Sequence, residues 1–256
     1  MERNVILGVI MSNDEVLNSE QDRLDEVSEW YSSSDGFYSK LVEYNYLTYK
    51  PFLDGVSILE LGCSDGLMTS MLIEKSTRYV AVDGSKKYCD HVRKIINDDR
   101  IEVICSLFED LELNEKFDVV IMSHVVEHVV DHVGVLMMAS RFLKDRGRIL
   151  VTVPNADSLH RKAGVIMGLL ENVTQLNELD IKLGHRRVYN WEKLLSDITE
   201  SGLLVEQRSG IFLKPISNSQ IDESWTVEMM DAYYQLGLEF PEIAAEIFVV
   251  LTKESH

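Results

Sequence analysis

Cysteine, positive charge and long apolar runs are all scarce in this 256-residue chain, and each scarcity excludes a class of protein. The three cysteines, Cys63, Cys89 and Cys105, are odd in number and lack metal-ligand spacing. That excludes a disulfide framework and points to reduced thiols in a cytoplasmic setting. Lys and Arg number 25 against 43 Asp and Glu, a formal charge of −18. Such a surface argues against sequence-independent nucleic-acid binding and against an anionic membrane. The apolar stretch Val5–Met11 has no basic segment beyond Arg3 and no small-residue cleavage site, so it reads as neither a signal peptide nor a membrane span. Internal repeats and low-complexity segments are also missing, and 45 % hydrophobic with 27 % charged residues fits one α/β domain carrying a lid or insertion.

What is present centres on residues 56 to 72. Val56–Leu61 is a short apolar run with Glu60 near its end, Gly62–Gly66 is a tight polar loop, and Leu67–Ile73 resumes with helical spacing. The pattern is strand, glycine turn, helix. Gly62 and Gly66 have no side chain to keep a ligand off the backbone, and the amides opening the next helix face whatever lies above the strand end. About 20 residues past the first glycine, Asp83 ends a second strand-like run, where an acid can accept from two ribose hydroxyls. A dinucleotide fingerprint of three glycines is missing.

Downstream, a helix over about Ser85–Asn97 and strands at Ile101–Cys105 and Phe117–Met122 continue a βα alternation, which predicts a parallel sheet. The spacing then predicts a helix to about Leu143, a turn at 144–147 and a fifth strand at Arg148–Val153. Helical periodicity follows from Asn155 to about Glu171, then a helix at Trp191–Ser201 capped by Asn190. Strand-like runs at Leu203–Leu213 and Glu246–Thr252 bracket an acidic helix at about Glu223–Leu238. Before the first strand, residues 12 to 30 are acidic and read as a solvated or partly disordered helix. Trp30–Phe52 is rich in aromatics and forms an amphipathic helix with Leu41, Tyr44, Asn45 and Thr48 on one face.

The series Glu60-Leu-Gly-Cys-Ser-Asp-Gly66, Val82-Asp-Gly-Ser85, Phe117-Asp-Val-Val-Ile121, Val126-Glu-His-Val129 and Arg148-Ile-Leu-Val-Thr-Val-Pro-Asn155 resembles the motif series of class I S-adenosylmethionine-dependent methyltransferases. The resemblance implies an α/β, Rossmann-like, seven-stranded and mostly parallel sheet with helices on both faces. It also implies an antiparallel C-terminal strand pair, a helical N-terminal lid and an insertion after strand 5. The corresponding division is an acidic segment 1–30 and a methyltransferase domain 31–256, with a lid helix 36–52, a cofactor core 56–154, an insertion 155–190 and C-terminal strands and helix 191–256. Ser64 replaces a third glycine of many members, and Leu107 replaces an aspartate that often meets adenine.

The implied cofactor is S-adenosylmethionine, with Glu60 at its amino end, Gly62, Cys63, Ser64 and Gly66 beneath it, Asp83 and Gly84 at the ribose, and Leu107 and Phe108 at the adenine. Ser123 and His124 reach it from the fourth strand. A general base for an oxygen acceptor is sought among the histidines, first His128, then His124 and His185. His124, His128 and His132 invite a zinc reading, but no cysteine or carboxylate pattern supports it, so no metal is expected. Residues 158 to 214 hold eight Lys or Arg against seven Asp or Glu in an otherwise acidic chain. There His160, Arg161, His185, Arg186, Arg187 and Tyr189, with Tyr38 and Tyr46 from the lid, are candidate acceptor ligands; surface pairing is the plainer reading of the arginines.

Gly184-His-Arg-Arg-Val-Tyr189, with Phe212-Leu-Lys-Pro215 and Ala245-Glu-Ile-Phe248, is similar to methyltransferases of surface-polysaccharide and natural-product pathways, including those acting on capsule phosphoramidates. This implies O-methylation of a small acceptor, anionic or sugar-linked. A quinone, amine or nucleotide-sugar acceptor, and cofactor binding without methyl transfer, stay open.

Overall fold

In the computed structural model, which describes residues 13–254, the apolar run Val56–Leu61 forms strand β1, buried along nearly its whole length. A strand apolar on both faces belongs inside a parallel sheet, and β1 has neighbours on both sides. The chain runs α1 (Asn13–Ser28), α2 (Gly36–Tyr49), β1, α3 (Leu67–Leu72), β2 (Ser76–Asp83), α4 (Lys86–Ile95), β3 (Ile101–Cys105), β4 (Phe117–Ser123), α5 (His132–Arg141) and β5 (Leu143–Pro154). It continues through α6 (Leu159–Ile166), α7 (Glu178–Leu183), α8 (Trp191–Glu200), β6 (Leu203–Ile211), α9 (Asn218–Ser224), α10 (Val227–Glu239) and β7 (Glu246–Lys253). Val5–Met11 lies outside the described residues.

The strand order is β3-β2-β1-β4-β5-β7-β6. β1 to β5 pair in parallel, and β7 runs antiparallel to both β5 and β6. The expected seven-stranded, mostly parallel sheet with an antiparallel C-terminal pair is thus observed. Period-two alternation sends Leu59, Val80, Val120 and Val151 to one face, under α5 and α8, and Ile58, Ala81, Ile121 and Val250 to the other, under α2, α3 and α10. Aromatic stacking fixes α2 on the second face: Tyr44 stacks on Tyr234 at 4.7 Å and on Phe212 at 5.7 Å. Each such pair adds about 1 kcal/mol beyond buried area. Asn190 caps α8 by accepting from the Lys193 amide at 2.9 Å.

Three local expectations are corrected. The turn at 144–147 is absorbed into β5, because the chain kinks at Arg146 (φ +63°) and resumes pairing with β4 after a register shift. The periodic stretch from 155 forms only the short α6, and the chain turns at Gly168 (φ +72°). The acidic segment before residue 30 is not a solvated arm along its length. Leu24 of α1 lies against Gly84, Gln21 donates to the Gly84 carbonyl, and Ser85 Oγ donates to Asp25 at 2.6 Å.

Candidate active site

All five parallel strands end at one edge of the sheet, where open α/β folds bind ligands, and a cavity of about 660 Å³ lies there. On the β1–β2 side the glycine loop is held by carboxylates. Gly62 and Gly66 both have φ +83°, and Ser64 is left-handed at +47°. A Cβ at Gly62 would approach Val125 Cγ2 to 3.0 Å, so a side chain there is excluded by both conformation and space. Asp83 accepts from the amides of Ser64 at 3.0 Å and Ser85 at 2.8 Å, which fixes the loop to the end of β2. Asp65 accepts from the hydroxyls of Ser32 at 2.8 Å and Ser34 at 3.1 Å and from Ser33, fastening the entry to α2 over the loop. Burial pushes the Asp65 carboxyl up, and these hydroxyls overcome it and hold it below the usual range.

Glu60, buried at the end of β1, accepts from Thr69 at 2.6 Å and Tyr79 at 2.8 Å. Burial lifts its pKa to about 7 and that of Asp83 to about 6. Both face the cavity, with Gly62, Cys63, Ser64, Gly84, Leu107, Phe108, Ser123 and His124. Two carboxylates aimed at a cavity suit an ammonium group and a diol, because Glu60 takes both its bonds on Oε2, leaving Oε1 to a ligand, and each Asp83 oxygen keeps a lone pair beyond its one bond. The buried Ser64 Oγ, without a hydrogen-bond partner, is a further free polar atom in the loop. These residues fit S-adenosylmethionine: Glu60 for the amino group, Asp83 for the ribose, Leu107 and Phe108 as apolar walls for the base.

The centre of the cavity is a charged network. His124, left-handed at φ +56°, directs Nδ1 to Glu127 at 3.1 Å and Nε2 to Glu246 at 3.0 Å. Burial opposes its charge, yet the two carboxylates win and raise its pKa to about 10. His124 is therefore a cation donating at both nitrogens. The expectation that it serves as a reserve base is corrected, because it has no lone pair to offer. Glu246 also accepts from Asn45 at 2.7 Å, and Asn45 accepts in turn from Tyr49 at 3.1 Å. The polar residues of α2 thus reach into the site through β7.

His128 differs. Burial drives its pKa down to about 4 against the pull of Glu127, so its ring is neutral with a lone pair available. It packs edge-on against His185 with ring centres 4.7 Å apart. The sequence pattern predicts no metal site at His124, His128 and His132, and the cluster that forms here joins His128 to Glu127 and the distant His185 instead. Ligand-type atoms of Glu127, His128 and His185 lie within 4.8 Å of one another, a spacing that could share a cation, and Glu127 Oε2 is buried with no hydrogen-bond partner.

Of the acceptor candidates, Tyr38, His160, Arg161 and His185 line the cavity. The Arg161 guanidinium is spent on Asp180 at 3.1 Å and on the carbonyls of Val173 and Gln175, where it closes the insertion on itself. Arg186 and Arg187 do not line it. Arg186 donates to the His128 carbonyl at 2.8 Å and pairs with Glu20 at 2.9 Å, while Arg187 donates to the carbonyls of Val126 at 2.7 Å and Val129 at 2.6 Å. Both corrections have one cause: the loop after β4 ends in free carbonyls, and guanidinium groups satisfy them. Tyr189 is fully buried and donates to Asp197 at 3.1 Å, and Tyr46 packs against the core, so neither reaches the cavity. Sequence reasoning missed Tyr31, Asn45, Glu127, Lys214, Asn218 and Glu246, all of which line or brace the site. For Glu127 the adjoining His128 was a signal; the rest are isolated in sequence.

Comparison with known proteins agrees with this arrangement. A family model described as Methyltransferase domain matches residues 59–151. The human mitochondrial ubiquinone biosynthesis O-methyltransferase is 30% identical over 186 residues, covering 68% of this chain and 48% of the relative, so the chain spans about half the length of that protein. A Bradyrhizobium diazoefficiens ubiquinone biosynthesis O-methyltransferase is 25% identical over 197 residues, covering 73% and 72%. Among solved structures, Burkholderia thailandensis 1,6-didemethyltoxoflavin-N1-methyltransferase, with bound S-adenosylhomocysteine, superposes with a TM-score of 0.61 at 13% identity over 97% of this chain and 93% of the other. The N-methyltransferase NodS from Bradyrhizobium japonicum gives 0.56 at 13% identity over 94% and 98%. No helix among the described residues is long and apolar enough to cross a membrane. With the glycine loop, the paired acids Glu60 and Asp83 and the 3-2-1-4-5-7-6 sheet in place, residues 59–151 carry a methyltransferase domain, set in the fold of S-adenosylmethionine-dependent methyltransferases.

Proposed function

We propose that this chain transfers the methyl group of S-adenosylmethionine to an oxygen of a small acceptor that carries an anionic or sugar-linked group. The carrying observation is His128, a neutral imidazole facing the same cavity as Glu60 and Asp83. The cofactor, when bound, supplies a sulfonium-activated methyl group; what is left to the protein is alignment, exclusion of water and removal of one proton. His128 takes the proton from the acceptor hydroxyl, and the neighbouring Glu127 carboxylate stabilises the imidazolium that results. The α1 and α2 helices and the Ser32–Ser34 segment cover the cavity and exclude water.

Lys214 and His160 on the acceptor side favour an anionic acceptor in a chain that is elsewhere strongly acidic. A second reading, a phenol of quinone type, is favoured by the apolar and aromatic surface of Tyr31, Tyr38, Leu41, Leu179 and Leu183 in the same cavity, and by the likeness to ubiquinone biosynthesis O-methyltransferases. The test is methyl transfer from labelled cofactor to two panels, phosphorylated or sugar-linked alcohols and catechol-type phenols. Methyl ethers from the first panel are expected, with turnover by His128→Ala about 100-fold lower at unchanged cofactor affinity. Methylation confined to phenols would replace the first reading by the second, and cofactor binding with no transfer to either would overturn both.

A further inference from the structure

We infer that Lys214, flanked by His160, Tyr38 and Asn218, is the subsite that grips a carboxylate or phosphoryl group of the acceptor. The inference rests on the methyl-transfer reading above and deepens it.

Topology sets the position. β6 runs parallel to β5 and ends at Ile211, so the segment that carries Lys214 emerges at the same edge as the glycine loop but at the far end of the sheet. Ser123 and His124, at the end of β4, mark the middle of the cavity. From β4 to β7 and β6 is two to three strand spacings, about 10 to 14 Å. An acceptor with its reacting oxygen near His128 therefore places a second group, at most that far away, beside Lys214.

Charge balance gives the sign. Two carboxylates lie near Lys214, and each is already matched: Glu246 by His124 at 3.0 Å and Asp180 by Arg161 at 3.1 Å. The Lys214 ammonium makes no ion pair among the described residues and donates only to Asn218 Oδ1 at 2.7 Å. It is a half-buried lysine with donors to spare and its charge uncancelled, and desolvation lowers its pKa to about 8. A partly desolvated charge without a partner is unfavourable until a counter-ion supplies one.

The neighbours give the shape. The His160 amide donates to the Lys214 carbonyl at 3.1 Å, which locks the two residues side by side. His160 Nδ1 is buried with no hydrogen-bond partner, and Tyr38 brings a phenol to the same cavity. One cation with neutral donors around it suits a single carboxylate or phosphoryl group better than a chain of charges.

The experiment is calorimetric titration of the full chain, saturated with S-adenosylhomocysteine, using benzoate, inorganic phosphate and neutral benzamide as probes. Saturable binding of benzoate or phosphate, and none of benzamide, is expected; which anion binds tells carboxylate from phosphoryl recognition. Lys214→Met should weaken the anion at least about tenfold, the worth of one charged hydrogen bond. Lys214→Arg should keep it within about threefold, and S-adenosylhomocysteine affinity should be unchanged in both. His160→Phe, weaker for the same anion, serves if Lys214→Met does not fold. Undetectable anion binding, equal binding of benzamide, or an unaffected Lys214→Met would overturn the inference while leaving the methyltransferase reading in place. Failure of S-adenosylhomocysteine to bind would overturn that reading first, and the inference with it.

Discussion

The two ends of the cavity are built on opposite principles. At the β1–β2 end the polar ligand-facing groups come from residues 60 to 84, they are backbone amides and carboxylates, and the Asp83 carboxylate holds the loop amides beside it. At the β7–β6 end they come from α2, α6, the segment after β6 and the start of β7, and they include a lysine and a histidine. The first end is a motif in the sequence sense because its parts are covalently close. The second exists only where the fold gathers distant residues, which leaves it free to change without disturbing the first. A scaffold divided in this way keeps one cofactor while its acceptor varies.

The division can be broken most sharply at Asp83. It fixes the loop through two amides and faces the cavity, so if it is the ribose ligand, Asp83→Ala should weaken S-adenosylhomocysteine binding about 100-fold or more by calorimetry. Near-native affinity would mean that the loop is held by something else. At the other end, Arg161→Ala should destabilise the protein by about 3 kcal/mol in urea unfolding, since it removes the guanidinium partner of Asp180 and strands two carbonyls. A loss under about 1 kcal/mol would show that the insertion does not depend on that pair.

The smallest effect is the most discriminating, because pH moves the two ends in opposite directions. Glu60 and Asp83, lifted by burial to about 7 and about 6, must be ionised to meet an ammonium and a diol. Cofactor affinity should therefore rise as pH climbs from 5 to 8. The sign for the empty protein is reversed: carboxyls raised in the folded state bind more protons than in the unfolded state, so their contribution to stability falls over the same range. Lys214, facing Glu246 on β7, Asp180 on α7 and Arg161 on α6, loses its charge as pH rises through about 8, and anion affinity should fall with it. Parallel pH profiles for the two ligands would remove the distinction between the ends.

That same division explains what could be read from the sequence. β1 and β3 match their expected limits: Val56–Leu61 is a buried apolar run bounded by turn residues, and Ile101–Cys105 is a half-buried edge strand with Glu102 and Cys105 exposed. The cofactor end was legible for the same local reason. Arg186 and Arg187 misled because a basic side chain near a site looks alike whether it meets a ligand or a carbonyl, and only the unpaired carbonyls after β4 decide. Glu246 and Asn45 were illegible as a pair, since 201 residues separate two groups 2.7 Å apart.

The reversed direction of β7 has a consequence for biogenesis. This strand leaves the ribosome after the other six, yet it sits between β5 and β6, and its first residue clamps His124. A nascent chain already holds every element of the glycine loop, while β5 and β6 await the strand that separates them. The glycine loop is thus encoded early in translation, and the β7–β6 side of the cavity closes only with the final insertion.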